Sequence, residues 1–381
     1  MRLYDRHNID ELRWPETANG QYAKQYLMPL IKGDTAHAIS NAKTKVYVLA
    51  AGDEHILPIT VNEAEYGNSY VCSPYTHYVS YAREELQLLG SRAARGALSL
   101  LLYGVGAFLR STQINRTVHV NNWLLSTNLY PQLNRAQATA ILQFLQQQFP
   151  KHSIVFRSLN ETTTRELLDR LRQQNCRMVP SRQIYLHHPH KADAMNAKAR
   201  WLLKRDYALI EKNGYQVVEP EQFSEEDLPR VLELYNDLYL RKYSLYNPQF
   251  QLPFIRLAWQ EQTLHLYGLR KNGKIDAVLG YFSRDGVMTT PLFGYDLSMP
   301  QQLGLYRMLS ALLMQLAAAN GQLLHESSGA AQFKRNRGAV AEIEYSAVYD
   351  RHLPFYRRSG WILLENLIGK IGVPIIRKLK L

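Results

Sequence analysis

The chain has 381 residues, 46% of them hydrophobic and 20% charged, a composition that excludes global disorder and is long enough for two domains, each with its own core. Its formal charge of +12 predicts attraction to something acidic: CoA phosphates, an acyl carrier protein, tRNA or an anionic membrane surface. Residues 1–15 are densely charged rather than leader-like, and Cys72 and Cys176 lie far apart without C-x-x-C spacing, so a cytoplasmic protein with neither a disulfide framework nor a metal site is expected.

Alternation and turn residues predict strands at 45–50, 56–62 and 69–72, the first two joined by a turn around Gly52 and Asp53. A helical region follows from 77 through 109. Its apolar stretch 96–109 (GALSLLLYGVGAFL) is bounded by Arg95 and Arg110, falls short of the ~20 residues a spanning helix needs, and reads as a buried core helix. Next come a strand at 117–125, a helix at 135–148, a strand at 153–157, a helix at 162–174 and a strand at 183–187. The segment HHPHKA at 187–192 reads as a solvated linker, because a proline interrupts His187, His188 and His190 and no partner motif completes a metal set. A first domain is therefore set at 1–190.

The second domain, 191–352, opens with a helix at 193–213 that stops at Gly214. A strand at 215–219 leads through Ser224, Glu225, Glu226 and Asp227, acids suited to a helix start, into a helix at 228–243. Strands at 264–270, 275–283 and 287–295 form a meander, since Asn272-Gly273 and Asp285-Gly286 tolerate the positive φ of tight hairpins. A helix at 304–319, a short strand at 322–326, a short helix at 330–336 and a strand at 342–349 complete it. The remainder, 353–381, is a basic amphipathic tail with Lys370, Arg377, Lys378 and Lys380. It suits either peripheral membrane contact through 361–381, at the inner membrane face, or packing as a closing element.

This order, a meander followed by strand, helix and strand, resembles the GNAT (acyl-CoA N-acyltransferase) superfamily, and within it the two-domain FemAB and CelD-like branch. The resemblance rests on the basic helix Lys198-Ala-Arg-Trp-Leu-Leu-Lys-Arg-Asp206 and on Ser328-Gly-Ala-Ala-Gln-Phe-Lys334 with Arg335 and Gly338. It implies an α/β (α+β) fold of two tandem GNAT-like domains, with mixed, partly splayed sheets flanked by helices. It also implies that Lys334 stabilises the transferring carbonyl, and a fixed cation in a dry site suits the charge that gathers on that oxygen.

Glu326, at a strand end with Ser327 and Ser328, is the candidate base, and Tyr349 a candidate proton donor to the leaving group. GNAT enzymes hold the CoA pyrophosphate where a helix opens after the fourth strand. Here that place reads Gln301-Gln-Leu-Gly304-Leu-Tyr306, with Tyr306 in place of a small residue, and Arg335 and Arg337 are added as phosphate partners. Tyr295, Tyr243, Asn121, Arg157 and Arg182 are candidate acceptor contacts at element ends.

The expected activity is N-acyl transfer from acyl-CoA or an acyl carrier protein to a small amine or amino acid, in a ternary complex and without a permanently bound cofactor. Two alternatives stay open: a FemAB-type transferase using aminoacyl-tRNA, the one case in which nucleic acid would be a partner, and a non-catalytic GNAT-like binding protein.

Overall fold

The computed structural model describes residues 1–52, 54–86, 92–188, 195–374 and 377. They form two compact units, Met1–Ser181 with Ser244–Gln249 and the described part of Glu344–Ile375, and Arg182–Tyr243 with Phe250–Ile343. The division is interleaved rather than a single cut near 190, and the linker residue His190 lies outside the described residues.

In the first unit, strands β1 (Arg2–Tyr4), β2 (Lys45–Ala51), β3 (His55–Asn62) and β4 (Thr117–Val120) are antiparallel neighbours. Strand β5 (Ser153–Leu159) pairs parallel to β4, and its other edge takes β12 (Val340–Tyr349) antiparallel. Helices α1 (Ala18–Lys32), α2 (Thr35–Ala38), α3 (Tyr81–Glu85), α4 (Arg92–Ser111), α5 (Arg135–Gln148), α6 (Arg165–Gln173) and α12 (Phe355–Leu367) accompany it. Helix α5 starts where predicted because Asn134 and Gln137 cap each other's backbone reciprocally. Its Ile141, Leu142 and Leu145 meet Phe156 and Leu168 in one apolar core.

The second unit repeats this plan. Strands β7 (Gln216–Val218), β8 (His265–Lys271), β9 (Lys274–Arg284) and β10 (Val287–Tyr295) are antiparallel neighbours, β11 (Leu323–His325) pairs parallel to β10, and β6 (Arg177–His187) pairs antiparallel to β11. Helix α7 (Ala197–Lys212) precedes β7, α8 (Leu228–Tyr235) and α9 (Leu252–Gln260) separate β7 from β8, α10 (Leu305–Ala319) joins β10 to β11, and α11 (Ala331–Asn336) follows β11. The predicted hairpins form, with Asn272, Gly273, Asp285 and Gly286 all at positive φ.

Between β10 and β11 only Val287–Leu323, Met288–Leu324 and Thr289–His325 are paired. Beyond Thr289 strand β10 shifts register against β9 and runs on to Tyr295, while β11 ends at His325. Pairing between the two parallel strands therefore ends at Thr289–His325, where β11 stops and β10 continues.

Several expectations are corrected. Residues 69–72 form a turn, with the Cys72 and Ser73 amides both donating to the Ser69 carbonyl. Strand β4 stops at Val120 because Asn121 takes a φ of 55°. His187 is buried at the end of β6 opposite Leu324 rather than solvated in a linker. The apolar stretch 96–109 is not a core helix, since most of its bulky side chains face solvent. In the tail, Trp361 and Leu364 are buried with Val155 and Val348, so this part of the segment packs as a closing element; Lys378 and Lys380 lie outside the described residues. Helices α1 and α9 carry no expectation from the sequence.

Candidate functional site

Where the pairing of β10 and β11 ends, residues from several elements of the second unit come together. After His325 the chain turns sharply, with Ser327, Gly329 and Ala330 all at positive φ, a conformation costly for Ser and Ala that holding contacts must maintain. Lys334, on the α11 turn, supplies those contacts. Its Nζ donates to the carbonyls of Glu326 at 2.6 Å and Ser328 at 2.9 Å. The ammonium is buried and lies 5.5 Å from the centre of the Tyr185 ring. Arg335 Nη1 donates to the Tyr185 hydroxyl at 3.0 Å, and the Tyr185 backbone brackets the turn, accepting from the Glu326 amide and donating to the Ser327 carbonyl.

Glu326 is half-buried, and its Oε1 is shielded from solvent with no hydrogen-bond partner among the described residues. Burial pushes its carboxyl up to about 7, against the pull of Lys334 and Arg337. Burial brings Lys334 down to about 8, which Glu326 opposes and Arg182 reinforces. Both shifts come mainly from burial, and titratable groups perturbed in this way mark a candidate functional site.

Tyr306 sits beside this pair. Its ring lies 4.7 Å from Phe333, 5.7 Å from Phe293 and 6.0 Å from Tyr295, and burial, then the Glu326 charge, raise its phenol. Lys242 Nζ donates to the Tyr295 hydroxyl at 3.2 Å and lies 5.8 Å from the Tyr243 ring. Gly294 on β10 admits the close passage of α8, since a Cβ there would stand 2.5 Å from the Leu234 carbonyl.

At the predicted phosphate loop, 301–303 form a single 3-10 turn and Gly304, at φ 81°, enters α10 with no side-chain cap on the helix. The first amides of α10 are thus left to a ligand or to water, the condition under which a helix start accepts phosphate.

Arg337 does not serve there. With Arg307 it grips Asp206, which is fully buried: Arg337 Nε donates to Asp206 Oδ2 at 2.8 Å and Arg307 Nη2 to Oδ1 at 2.6 Å. Burial alone would raise Asp206, but the two guanidiniums outweigh it and hold the carboxyl below its ordinary range. Asp206 and Tyr185 were not singled out from the sequence. Asp206 reads there as one more charge on a basic helix, and the alternation of β6 alone does not mark Tyr185.

Tyr349, Arg157 and Asn121 belong to the first unit. Tyr349 faces Ile154 across β12 and β5 and stacks on His352 at 5.6 Å. Arg157 donates to the Val71 carbonyl at 2.8 Å. Asn121 is fully buried, donating to the Leu129 carbonyl and accepting from Trp123 Nε1, so its side chain holds a turn and is not offered to a substrate. Cys72 is buried as well, and burial pushes its thiol up to about 12, which removes it as a nucleophile.

Residues 197–335 match the family described as an acetyltransferase (GNAT) domain. No curated protein matches the chain. Among solved structures, L-PGS from Bacillus licheniformis is similar at 19% identity, with 62% of this chain and 78% of that one covered and a TM-score of 0.46. FemX is similar at 9% identity over 60% and 80% of the two chains, with a TM-score of 0.46. A tandem GNAT protein from the clavulanic acid biosynthesis pathway is similar at 9% identity over 91% and 98%, with a TM-score of 0.38. Residues 197–335 of the second unit are thus similar to a GNAT acetyltransferase domain, and the first unit repeats the strand order of the second.

Proposed function

We propose that the second unit transfers an acyl group from a thioester donor, acyl-CoA or an acylated carrier protein, to a small amine in a ternary complex. The observation that carries this reading is the half-buried Glu326 carboxylate just past the end of the β10–β11 pairing, with a buried cation, Lys334, on the same turn. The amine lone pair attacks the thioester carbonyl, the C–N bond forms, and the ammonium proton passes to Glu326 directly or through a water. The C–S bond then breaks, and the thiolate takes a proton from the Tyr295 phenol or from water.

Lys334 fixes the turn that carries Glu326, and its positive field favours the charge that develops on the carbonyl oxygen. Two of its three protons already have acceptors, so at most one is left for that oxygen. The donor's phosphates are assigned to the uncapped start of α10, with Gln301 and Gly304 on the loop and Arg335 near the turn. Tyr243, Tyr295, Ser327, Ser328 and Arg182 are assigned to the acceptor. An acidic carrier protein suits the excess of positive charge.

Free-thiol release from a panel of acyl-CoAs, with and without candidate amines, tests the reading; amine-dependent release that Glu326→Gln abolishes is the expected result. No release with any thioester, together with transfer from charged tRNA, moves the donor to aminoacyl-tRNA. Failure with both donors removes the enzymatic reading.

A further inference from the structure

The two units share their strand plan but differ sharply at one joint. In the second unit β9 passes to β10 through Asp285-Gly286 alone, whereas in the first unit the equivalent β3 and β4 are separated by residues 63–116. This insertion is firmly seated. Asn115 accepts from Ser73 Oγ and the Tyr75 amide and donates to the Ala64 carbonyl, closing the base of the excursion. Arg357 donates to the Thr112 and Gln113 carbonyls just past the end of α4.

Helix α4 itself is attached along a narrow line. Gly106, Leu109 and Thr112 are buried, and Gly106 is needed because a Cβ there would lie 2.9 Å from the Tyr75 hydroxyl. At 100° per residue the opposite side carries Leu100, Tyr103, Gly104 and Ala107, with Leu101 and Phe108 at its edge. Leu100 is 74% exposed, Tyr103 68%, Leu101 50% and Phe108 40%. A surface helix ordinarily turns its polar side outward. This one turns apolar side chains both ways.

Its charges narrow the choice of what covers that face. Helix α4 holds Arg92, Arg95 and Arg110 and no acidic residue. Arg110 is held at the flank by the rings of Tyr75 at 4.6 Å and Tyr66 at 4.7 Å. A second copy seated on the same face would bring these arginines together with no carboxylate on the helix to offset them. An anionic lipid surface matches both features, since acyl chains receive the apolar residues and headgroup phosphates receive the flanking guanidiniums.

We propose that α4 is an in-plane membrane-docking helix that seats the first unit on an anionic lipid surface. The helix lies along the interface and does not cross it; no described helix is long and apolar enough to span a bilayer. The assignment is independent of the transfer chemistry proposed for the second unit.

Flotation of the full-length protein with vesicles of phosphatidylcholine, with and without phosphatidylglycerol, tests this. Binding is expected only with phosphatidylglycerol, weakened by high salt, and reduced about tenfold or more in the Leu100→Ser/Tyr103→Ser double variant, because two apolar side chains leave the interface. Both residues are exposed, so the variant should melt at the wild-type temperature. Hydrogen exchange on the wild type gives a readout free of any folding defect, with protection expected at 98–108 on phosphatidylglycerol vesicles. Absence of wild-type binding, or equal binding by the double variant, overturns the proposal. A wild-type dimer in light scattering that the double variant converts to a monomer, without flotation of either, assigns the face to a second copy instead.

Discussion

Glu326 and Lys334 answer to pH in opposite senses. The carboxyl, pushed up to about 7, must lose its proton to act as a base, and the ammonium, brought down to about 8, must keep its proton to act as a cation. The rate should rise with pH through about 7 and fall above about 8, a bell in kcat/KM whose limbs belong to the pair as a whole. Glu326→Gln should lower kcat by about 10²–10⁴-fold and erase the acidic limb.

The same substitution tests the cost of the site. The folded-state value of Glu326 lies above its ordinary 4.5, so the native state holds the proton more tightly and loses stability as pH rises from about 4.5 to 7. Above pH 7 the Gln variant should therefore be more stable, by about 1 kcal/mol or more in urea denaturation. A variant that is both inactive and less stable would show that Glu326 is structural. Lys334→Met should lose activity while also loosening the turn it staples, visible as faster hydrogen exchange at 326–330; full activity would remove Lys334 from the site.

At the scale of elements, two contacts hold the site's frame. Asp206 on α7 joins Arg307 on α10 to Arg337 just past α11, so Asp206→Ala leaves the buried Arg337 guanidinium without its carboxylate. A loss of about 3–5 kcal/mol in chemical denaturation is expected, since an orphaned buried charge costs more than the pair contributes. Gly294→Ala places a methyl 2.5 Å from the Leu234 carbonyl carbon and oxygen, which are backbone and cannot swing aside. It should destabilise by about 1–3 kcal/mol and displace β10, raising KM; an unchanged melting curve would contradict the close approach of α8.

At the scale of the molecule, the strand pairings make a stronger demand. The first unit's sheet takes β12 on β5, and the second unit's takes β6 on β11. A fragment cut at the linear boundary, 1–190, lacks β12, and its complement 191–352 lacks β6. Each leaves a sheet edge with unpaired backbone groups, a template for aggregation. Neither fragment should unfold cooperatively in circular dichroism, and a cooperative, soluble 191–352 would contradict the pairing of β6 with β11.

Local chemistry determined much of this protein. Tolerance of positive φ at Asn272-Gly273 and Asp285-Gly286 set the meander, with β10 opening directly after Asp285-Gly286, and the cap at Asn134 set the start of α5. A sequence pattern and a resemblance singled out Glu326 and Lys334, and the structure places them on one turn, with Lys334 Nζ 2.6 Å from the Glu326 carbonyl. What tertiary structure alone decided were the questions whose answers depend on distant partners. An apolar run such as 96–109 states that water is unfavourable around it, not whether protein covers it. Asp206 becomes an anchor only when residues 101 and 131 positions away close on it. The assignment of β6 and β12 to their sheets likewise depends on long-range pairing, because hydrogen bonding between strands carries no local sequence signature.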